Sequence, residues 1–228
     1  MARPFLPIAG SDAFTRPINE WINIVNNKKC QLDSLLETGR LRNEARVWLE
    51  REFYRSAILG PDPADAFPSI AETHVNAGLR EIEHRVDAHA SRANLTPDFL
   101  LAVNNLLRGA AEPWSAPPAE RRLAMACDWF SADSFDDLHA IEQAATVYLR
   151  LSDIRAFECL NHLTSLVAAS LFTMRAGLLP IMIPMESALH AAIGEAKLMN
   201  TRPMVELIAT STDAALTDLI NFLRKIES

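Results

Sequence analysis

The amino-acid sequence predicts an all-α fold, a single domain of about eight or nine helices. The chain has 228 residues, with 49% hydrophobic and 22% charged side chains, which is the composition of an ordinary globular domain. Only 7 residues are glycine, and apolar side chains recur at helical spacing far more often than in strict alternation. The length suffices for one large domain, or for one domain with an appendage.

Capping residues, prolines and glycines mark the ends of the predicted helices. One or two helices fill Pro17 to Leu59, before a Gly-Pro-Asp-Pro stop. Thr96-Pro97 predicts an N-cap with proline at the first helical position, and that helix closes on Gly109. The remaining predicted helices are 69–90, one from Pro118 or Ala119, one capped by Ser134, a long apolar one ending at Gly177, a short one opened by Glu186, and one from Arg202 to about Ile226.

Charge and composition argue against several classes of protein. The formal net charge of -7, without a basic run, argues against a nucleic-acid binder. No uncharged apolar run reaches about 18 residues, so we expect no membrane span. The N-terminus lacks the apolar core of a signal peptide. The three cysteines are far apart, which predicts free thiols and a cytoplasmic protein.

The sequence contains no recognisable cofactor or metal motif. His74, His84 and His89 lie on one predicted helix, but their spacing is not the i, i+4 pattern of paired metal ligands. There is no P-loop, no zinc spacing, no GxGxxG and no Ser-His-Asp elbow. We therefore expect neither a metal nor another cofactor.

The stretch from Ser152 to Pro184 organises the chain. A short loop leads into the apolar helix that ends at Gly177, and an apolar extended segment follows. With its neighbours, it resembles the Fic (Fic/Doc, Fido-fold) family, whose loop and helix read HPFx(D/E)GNGRxxR. The segments that match in order are LTPDFLLAVNNLLRG, APPAERRLAMACDWF, DLHAIEQAATVYLRLSDIRAF and AGLLPIMIPMESALHAAIGEA.

The resemblance implies a Fic-like helical core over 95–228 and an N-terminal helical extension over 1–94, packed as one unit. In the family, the motif histidine is a general base, the acidic residue holds Mg²⁺, and the glycine turn and arginines bind nucleotide phosphates. The usual outcome there is transfer of AMP from ATP to a protein hydroxyl group.

This chain departs from the motif at most of the chemical positions. Arginine is no general base at neutral pH, and a thiol is a poor Mg²⁺ ligand, so we expect no ordinary AMP transfer. With both glycines lost, we expect the helix to continue through the phosphate-binding turn. The correspondences are Arg155 for the histidine, Ala156 for the proline, Cys159 for the acidic residue, Leu160 and His162 for the glycines, and Leu163 and Leu166 for the arginines, with Phe157 and Asn161 kept.

Two regions outside the motif also argue against ordinary AMP transfer. The interval 109–116 is too short for the β-hairpin flap that aligns a target peptide in the family. The segment 54–60, YRSAILG, resembles the family's inhibitory motif SSxIEG, with Leu59 in place of the glutamate. That glutamate pairs with the second motif arginine, so we hypothesise that Leu59 packs on Leu166 over a dead nucleotide site. The alternative is a plain amphipathic helix end.

Arg155, Glu158, Asn161 and His162 remain as candidate catalytic residues. Glu158 and His162 are four residues apart, so they can face each other on one side of a helix. Together with Arg155, they form either a new acid/base or anion site, or a polar network that fixes the helix N-terminus. Cys159 is either a nucleophile or a small buried side chain.

The sequence thus predicts a degenerate Fic-like protein that binds a protein partner or a small ligand at the former active site. Packing there is assigned to Leu59, Phe157, Cys159, Leu163 and Leu166. The alternative is a divergent enzyme with new chemistry in the same pocket. A third hypothesis is an assembly partner of a catalytic protein, and both homo- and hetero-oligomers fit the sequence.

Overall fold

The computed structural model describes residues 17–37, 39–58, 70–88, 95–109, 117–183 and 186–227. Within those ranges the chain is helical and has no β-strand, so the all-α prediction is confirmed. The helices are α1 Ile18–Leu36, α2 Arg42–Ile58, α3 Glu72–Ala88, α4 Pro97–Arg108, α5 Pro117–Phe130, α6 Asp133–Asp136, α7 Ala140–Ile154, α8 Asn161–Arg175, α9 Glu186–Lys197 and α10 Arg202–Glu227.

The centre of the fold is α8, which is buried on nearly every side. Its buried residues are Asn161 and every residue from Leu163 to Thr173. A helix that is apolar all round must be enclosed by other elements, and here α3, α4 and α7 enclose it. At its C-terminal half, the Phe172 ring meets Phe135 edge-on, with centroids 5.5 Å apart. The helix that carries the site is therefore held rigidly.

The first two helices belong to the same hydrophobic core. Val25 of α1 and Phe53 of α2 are completely buried in the cluster that also contains α8 and α10. α1 packs mainly on α10. There Lys28 Nζ lies 2.5 Å from both Thr217 Oγ1 and Asp213 Oδ1. The N-terminal helices are thus joined to the rest of the chain by apolar packing and by a half-buried polar contact.

Local sequence signals place the ends of α4 as predicted. Thr96 Oγ1 accepts a hydrogen bond from Phe99 N at 3.2 Å, and Pro97 occupies the first turn. Gly109 ends the helix with a φ of 62°. A Cβ at Gly109 would lie 2.3 Å from the His74 ring, so both the backbone angle and the close approach require glycine.

The helix at the centre ends at Gly177, also as predicted. Gly177 has a φ of 73°, and its N–H and that of Leu178 donate to Met174 O and Thr173 O, which is a Schellman motif. The chain then runs through the buried segment 178–183. In it, Ile181 N donates to Ser170 Oγ at 3.0 Å, which satisfies a buried amide without a sheet.

The prediction that Ser134 caps the next long helix is wrong. Ser134 lies inside the four-residue α6, whose N-cap is Ala132, and this extra helix raises the number above the eight or nine predicted. The cap of α7 is His139, whose Nδ1 accepts from Ile141 N at 3.3 Å. Glu142 Oε2 accepts in turn from His139 N, at 3.2 Å. Histidine replaces the usual Ser or Thr of a capping box.

Several expectations fall outside the described residues. These are the Gly-Pro-Asp-Pro stop, the short interval in place of a flap, and the side chain of Leu59. Among the helices that the structure does describe, none combines the length and the apolar character needed to cross a bilayer.

Candidate functional site

A six-residue loop, 155–160, connects α7 to α8 and carries the site. Both of its ends adopt the left-handed region: Arg155 with a φ of 49°, and Leu160 with a φ of 59°. Arg155 N donates to Leu151 O at 3.2 Å and ends α7. Leu160 is the N-cap of α8, and its carbonyl accepts from Thr164 N at 2.8 Å. The sequence YLRLSDIRAFECLNHL therefore forms a helix, a loop and a helix.

The prediction that helix would continue through this turn is wrong. Leu160, which the resemblance aligns with a motif glycine, takes the left-handed conformation itself. That conformation costs a residue with a side chain roughly 1–2 kcal/mol. The Leu160 side chain is 3% exposed, and its burial in the core offsets this cost. Tertiary packing thus maintains the loop where local preference would have lost it.

Asn161 clamps the loop from the first turn of α8. Its side chain accepts from Phe157 N at 2.9 Å through Oδ1, and it donates to Phe157 O at 2.8 Å through Nδ2. The Asn161 carbonyl accepts from Ser165 Oγ at 2.6 Å. Asn161 is only 6% exposed, so these bonds lie in a protected setting. Its amide group therefore has a structural role at Phe157.

A second asparagine, Asn104 of α4, fixes the other half of the loop. Asn104 Nδ2 donates to Cys159 O at 3.0 Å and to Thr164 Oγ1 at 2.9 Å, and the residue is 1% exposed. Sequence analysis missed it. The sequence did contain a signal for it, because Asn104 places an amide on the apolar face of α4, four residues after Leu100 and three before Leu107. Such a buried amide needs partners.

His162 and Tyr148 form the main polar contact between α7 and α8 near the site. The Tyr148 hydroxyl group is hydrogen bonded to His162 Nδ1. The two rings are perpendicular, at 87°, with centroids 5.4 Å apart. Tyr148 is completely buried, whereas His162 is half-buried. The buried phenol of Tyr148 therefore holds one ring nitrogen of His162.

Glu158 and His162 do not share a helix face, so that expectation is wrong. Glu158 lies in the loop before α8, where helical i, i+4 geometry does not apply. Its side chain is 61% exposed and meets Arg108 of α4, with Oε2 3.7 Å from Nη2. An exposed ion pair of this length contributes little to stability. Glu158 thus joins the loop to α4.

The apolar side chains assigned to the site are largely buried. Leu163 is 3% exposed and Leu166 is 2% exposed. Phe157 and Cys159 are half-buried, and Arg155 is exposed. The contact between Leu59 and Leu166 lies outside the described residues. Ser56, three residues earlier, donates to Ile183 O at 3.3 Å, which places the end of α2 against the buried segment that follows α8.

The other histidines and cysteines do not gather into a metal site among the described residues. His74 packs over Gly109, and His84 is exposed. Burial lowers the pKa of His139, against the opposing charge of Glu142. Burial raises the pKa of the Cys127 thiol to about 12, helped by Asp128, so this thiol stays protonated.

No protein-family model matches the chain. Two curated proteins do match part of it. It is 28% identical over 105 residues to protein adenylyltransferase fic-1 from Caenorhabditis briggsae, which is 45% of this chain and 21% of that protein. It is 26% identical over 118 residues to the protein of the same name from Caenorhabditis elegans, which is 51% of this chain and 23% of that one. The match thus spans less than a quarter of either relative.

Solved structures match over a larger part of the chain. Fic-1 from C. elegans superposes with a TM-score of 0.75 at 20% identity, over 89% of this chain and 71% of that one. A Fic domain containing signaling protein from Bacteroides thetaiotaomicron superposes with a TM-score of 0.69 at 16% identity, over 90% of this chain and 98% of that one. The chain therefore has the all-α fold of Fic domains, and about half of its length is similar in sequence to the Fic-1 adenylyltransferases.

Proposed function

We propose that this chain binds a protein partner or a small ligand at the loop 155–160 and does not transfer AMP. One observation carries the proposal: buried amide side chains of α8 and α4 hold the loop itself. Asn161 bridges both backbone groups of Phe157, and Asn104 holds Cys159 O. A loop fixed in this way is a preorganised surface, which lowers the entropic cost of binding.

The side chains at the motif positions do not fit a magnesium-bound nucleotide. A hard cation prefers oxygen ligands, and Cys159 offers sulfur. Leu163 and Leu166 offer no donors to a phosphate, and their burial keeps them in the core. Arg155 stays protonated at neutral pH and cannot take a proton from a hydroxyl group. These four positions support the absence of AMP transfer.

The names of the relatives do not contradict this proposal. The two curated relatives are named adenylyltransferases, and this chain aligns with less than a quarter of each. Similarity at 28% identity is compatible with a shared fold and with different chemistry, because function depends on the site.

Site-specific photocrosslinking tests the binding function directly. A benzoylphenylalanine at position 155 would replace an exposed arginine at the edge of the loop. The control carries the same group at Met125, which is 61% exposed on α5. In cells that make this protein, we expect a discrete adduct from position 155 and none from position 125. Equal labelling at both positions, or no adduct at 155, contradicts the proposal.

A divergent enzyme is the second candidate, and the bond between His162 and Tyr148 favours it. A half-buried imidazole paired with a phenol is a group that can move a proton, and the exposed Arg155 lies in the same loop–helix junction, seven residues earlier. The measurement is depletion of a compound from a metabolite extract by the purified protein. Depletion lost in His162→Asn but kept in His190→Asn, a change at an exposed histidine of α9, would favour the enzyme.

A further inference from the structure

A cleft of about 440 Å³ lies at the other end of α8 from the loop 155–160. The 15 residues of α8 separate the two sites by about 22 Å, at 1.5 Å per residue. The walls of this cleft are formed by four helices, α1, α2, α3 and α10, and by the segment after Gly177. The apolar lining includes Leu32, Leu36, Leu49, Met174, Leu178 and Leu179. This cleft is independent of the proposed function above.

One wall of the cleft is acidic. Glu83 and Asp87 of α3 both line it, and their i, i+4 spacing puts them on one side of the helix. Arg46 also lines the cleft, but its Nε lies 3.4 Å from Glu50 Oε1. Among the described residues, the ion pairs of this region join Arg46 and Arg80 to Glu50, and none includes Glu83. The cleft therefore holds an excess of negative charge.

Glu83 is the more buried of the two carboxylates. It is half-buried, and burial raises the pKa of its carboxyl group. Arg46 and Arg80 oppose that shift, whereas Glu50 and Asp87 add to it. A carboxylate beside leucines, without an ion pair, carries a desolvation cost that a bound cation would offset.

We propose that this cleft binds a small amphipathic amine, with its ammonium group at Glu83 and Asp87 and its alkyl chain among the leucines. Its volume falls within the range of roughly 300–1,000 Å³ that is typical of small-molecule sites. A fatty acid in the same position would add a third carboxylate beside Glu83 and Asp87, which disfavours it. An alcohol would fill the leucine wall and leave both carboxylates unpaired.

Methyl NMR with octylammonium as the probe tests this site. Met174 lines the cleft, whereas Met125 is exposed on α5 and serves as the internal control. We expect a saturable shift of the Met174 methyl signal at up to about 1 mM probe and no shift at Met125. Octanol, octanoate and ethylammonium should each bind at least about tenfold more weakly, because each lacks the ammonium group or the chain.

The variant Glu83→Gln removes the negative charge of this side chain and nearly keeps its shape, so it measures the contribution of the charge to binding. It should weaken octylammonium binding about tenfold, because one charge-assisted contact is lost. The matched control is Glu81→Gln, on the same helix but outside the cleft lining, which should change affinity less than about twofold. No Met174 shift, equal binding of octanol or octanoate, or equal losses in both variants would overturn the proposal.

Discussion

At the scale of single residues, the loop 155–160 is kept by contacts that only the folded chain can supply. Asn161 satisfies both backbone groups of Phe157, and Asn104 reaches Cys159 O from another helix. Leu160 takes a positive φ that leucine disfavours. The loop between α7 and α8 is thus held by buried amide groups and by packing.

Removing the clamp should destabilise the protein. We expect Asn161→Ala to lower the free energy of unfolding by about 1–3 kcal/mol, because two part-buried backbone groups of Phe157 lose their partners. Asn105→Ala is the control, since the Oδ1 of Asn105 is buried without a partner in the described structure. Urea denaturation checks both variants. A loss at Asn161 no larger than that at Asn105 would show that the loop does not depend on the clamp.

The left-handed Arg155 gives a second prediction at this scale. Glycine adopts its φ of 49° without strain, so Arg155→Gly should be about 1 kcal/mol more stable than Arg155→Ala. Both variants lose the same side-chain contacts, so their difference isolates the backbone. Thermal unfolding should separate them by about 2–4 °C. Identical thermal unfolding curves for the two variants would mean that residue 155 no longer has a positive φ in them.

At the scale of elements, the histidine cap makes α7 sensitive to pH. His139 Nδ1 must be unprotonated to accept from Ile141 N, and burial lowers its pKa. The cap therefore contributes its full stability above the unfolded pKa of about 6.5. That contribution declines as the pH falls from there through the lowered folded pKa.

Comparison of pH 7.5 with pH 5.5 by urea denaturation measures this effect. We expect the wild type to lose more stability on acidification than His139→Asn, because asparagine caps a helix at either pH. The control is His190→Asn, which removes an exposed histidine and should keep the wild-type pH dependence. Equal acid sensitivity in the wild type and His139→Asn would exclude the capping imidazole as its source.

Sequence analysis predicted helix ends correctly where neighbouring residues determine them. It failed where contacts with residues far away in the chain determine the conformation. The ends of α4 followed from Thr96 and Gly109, which act within one turn. Ser134 is a good local cap, but the chain begins its long helix at His139 instead. The turn at Leu160 depends on burial and on Asn104, which lies far away in the chain, and no local preference for that conformation existed.

At the scale of the whole molecule, one core joins the N-terminal helices to the rest of the described chain. Val25, Phe53 and Leu216 belong to the same buried cluster. We expect single-tryptophan variants that keep only Trp48 of α2 or only Trp129 of α5 to report the same unfolding midpoint. Two separate midpoints would show that the N-terminal helices unfold on their own.

The proposed absence of a phosphate site is tested most directly by nucleotide binding and AMP transfer. Titration calorimetry of the purified chain with ATP and Mg²⁺, followed by transfer of labelled AMP to the protein itself, measures recognition and chemistry together. With Arg155, Cys159, Leu163 and Leu166 at the motif positions, we predict no saturable binding below about 1 mM and no labelled protein. Sub-millimolar binding that depends on Mg²⁺, accompanied by AMP transfer, would contradict the account.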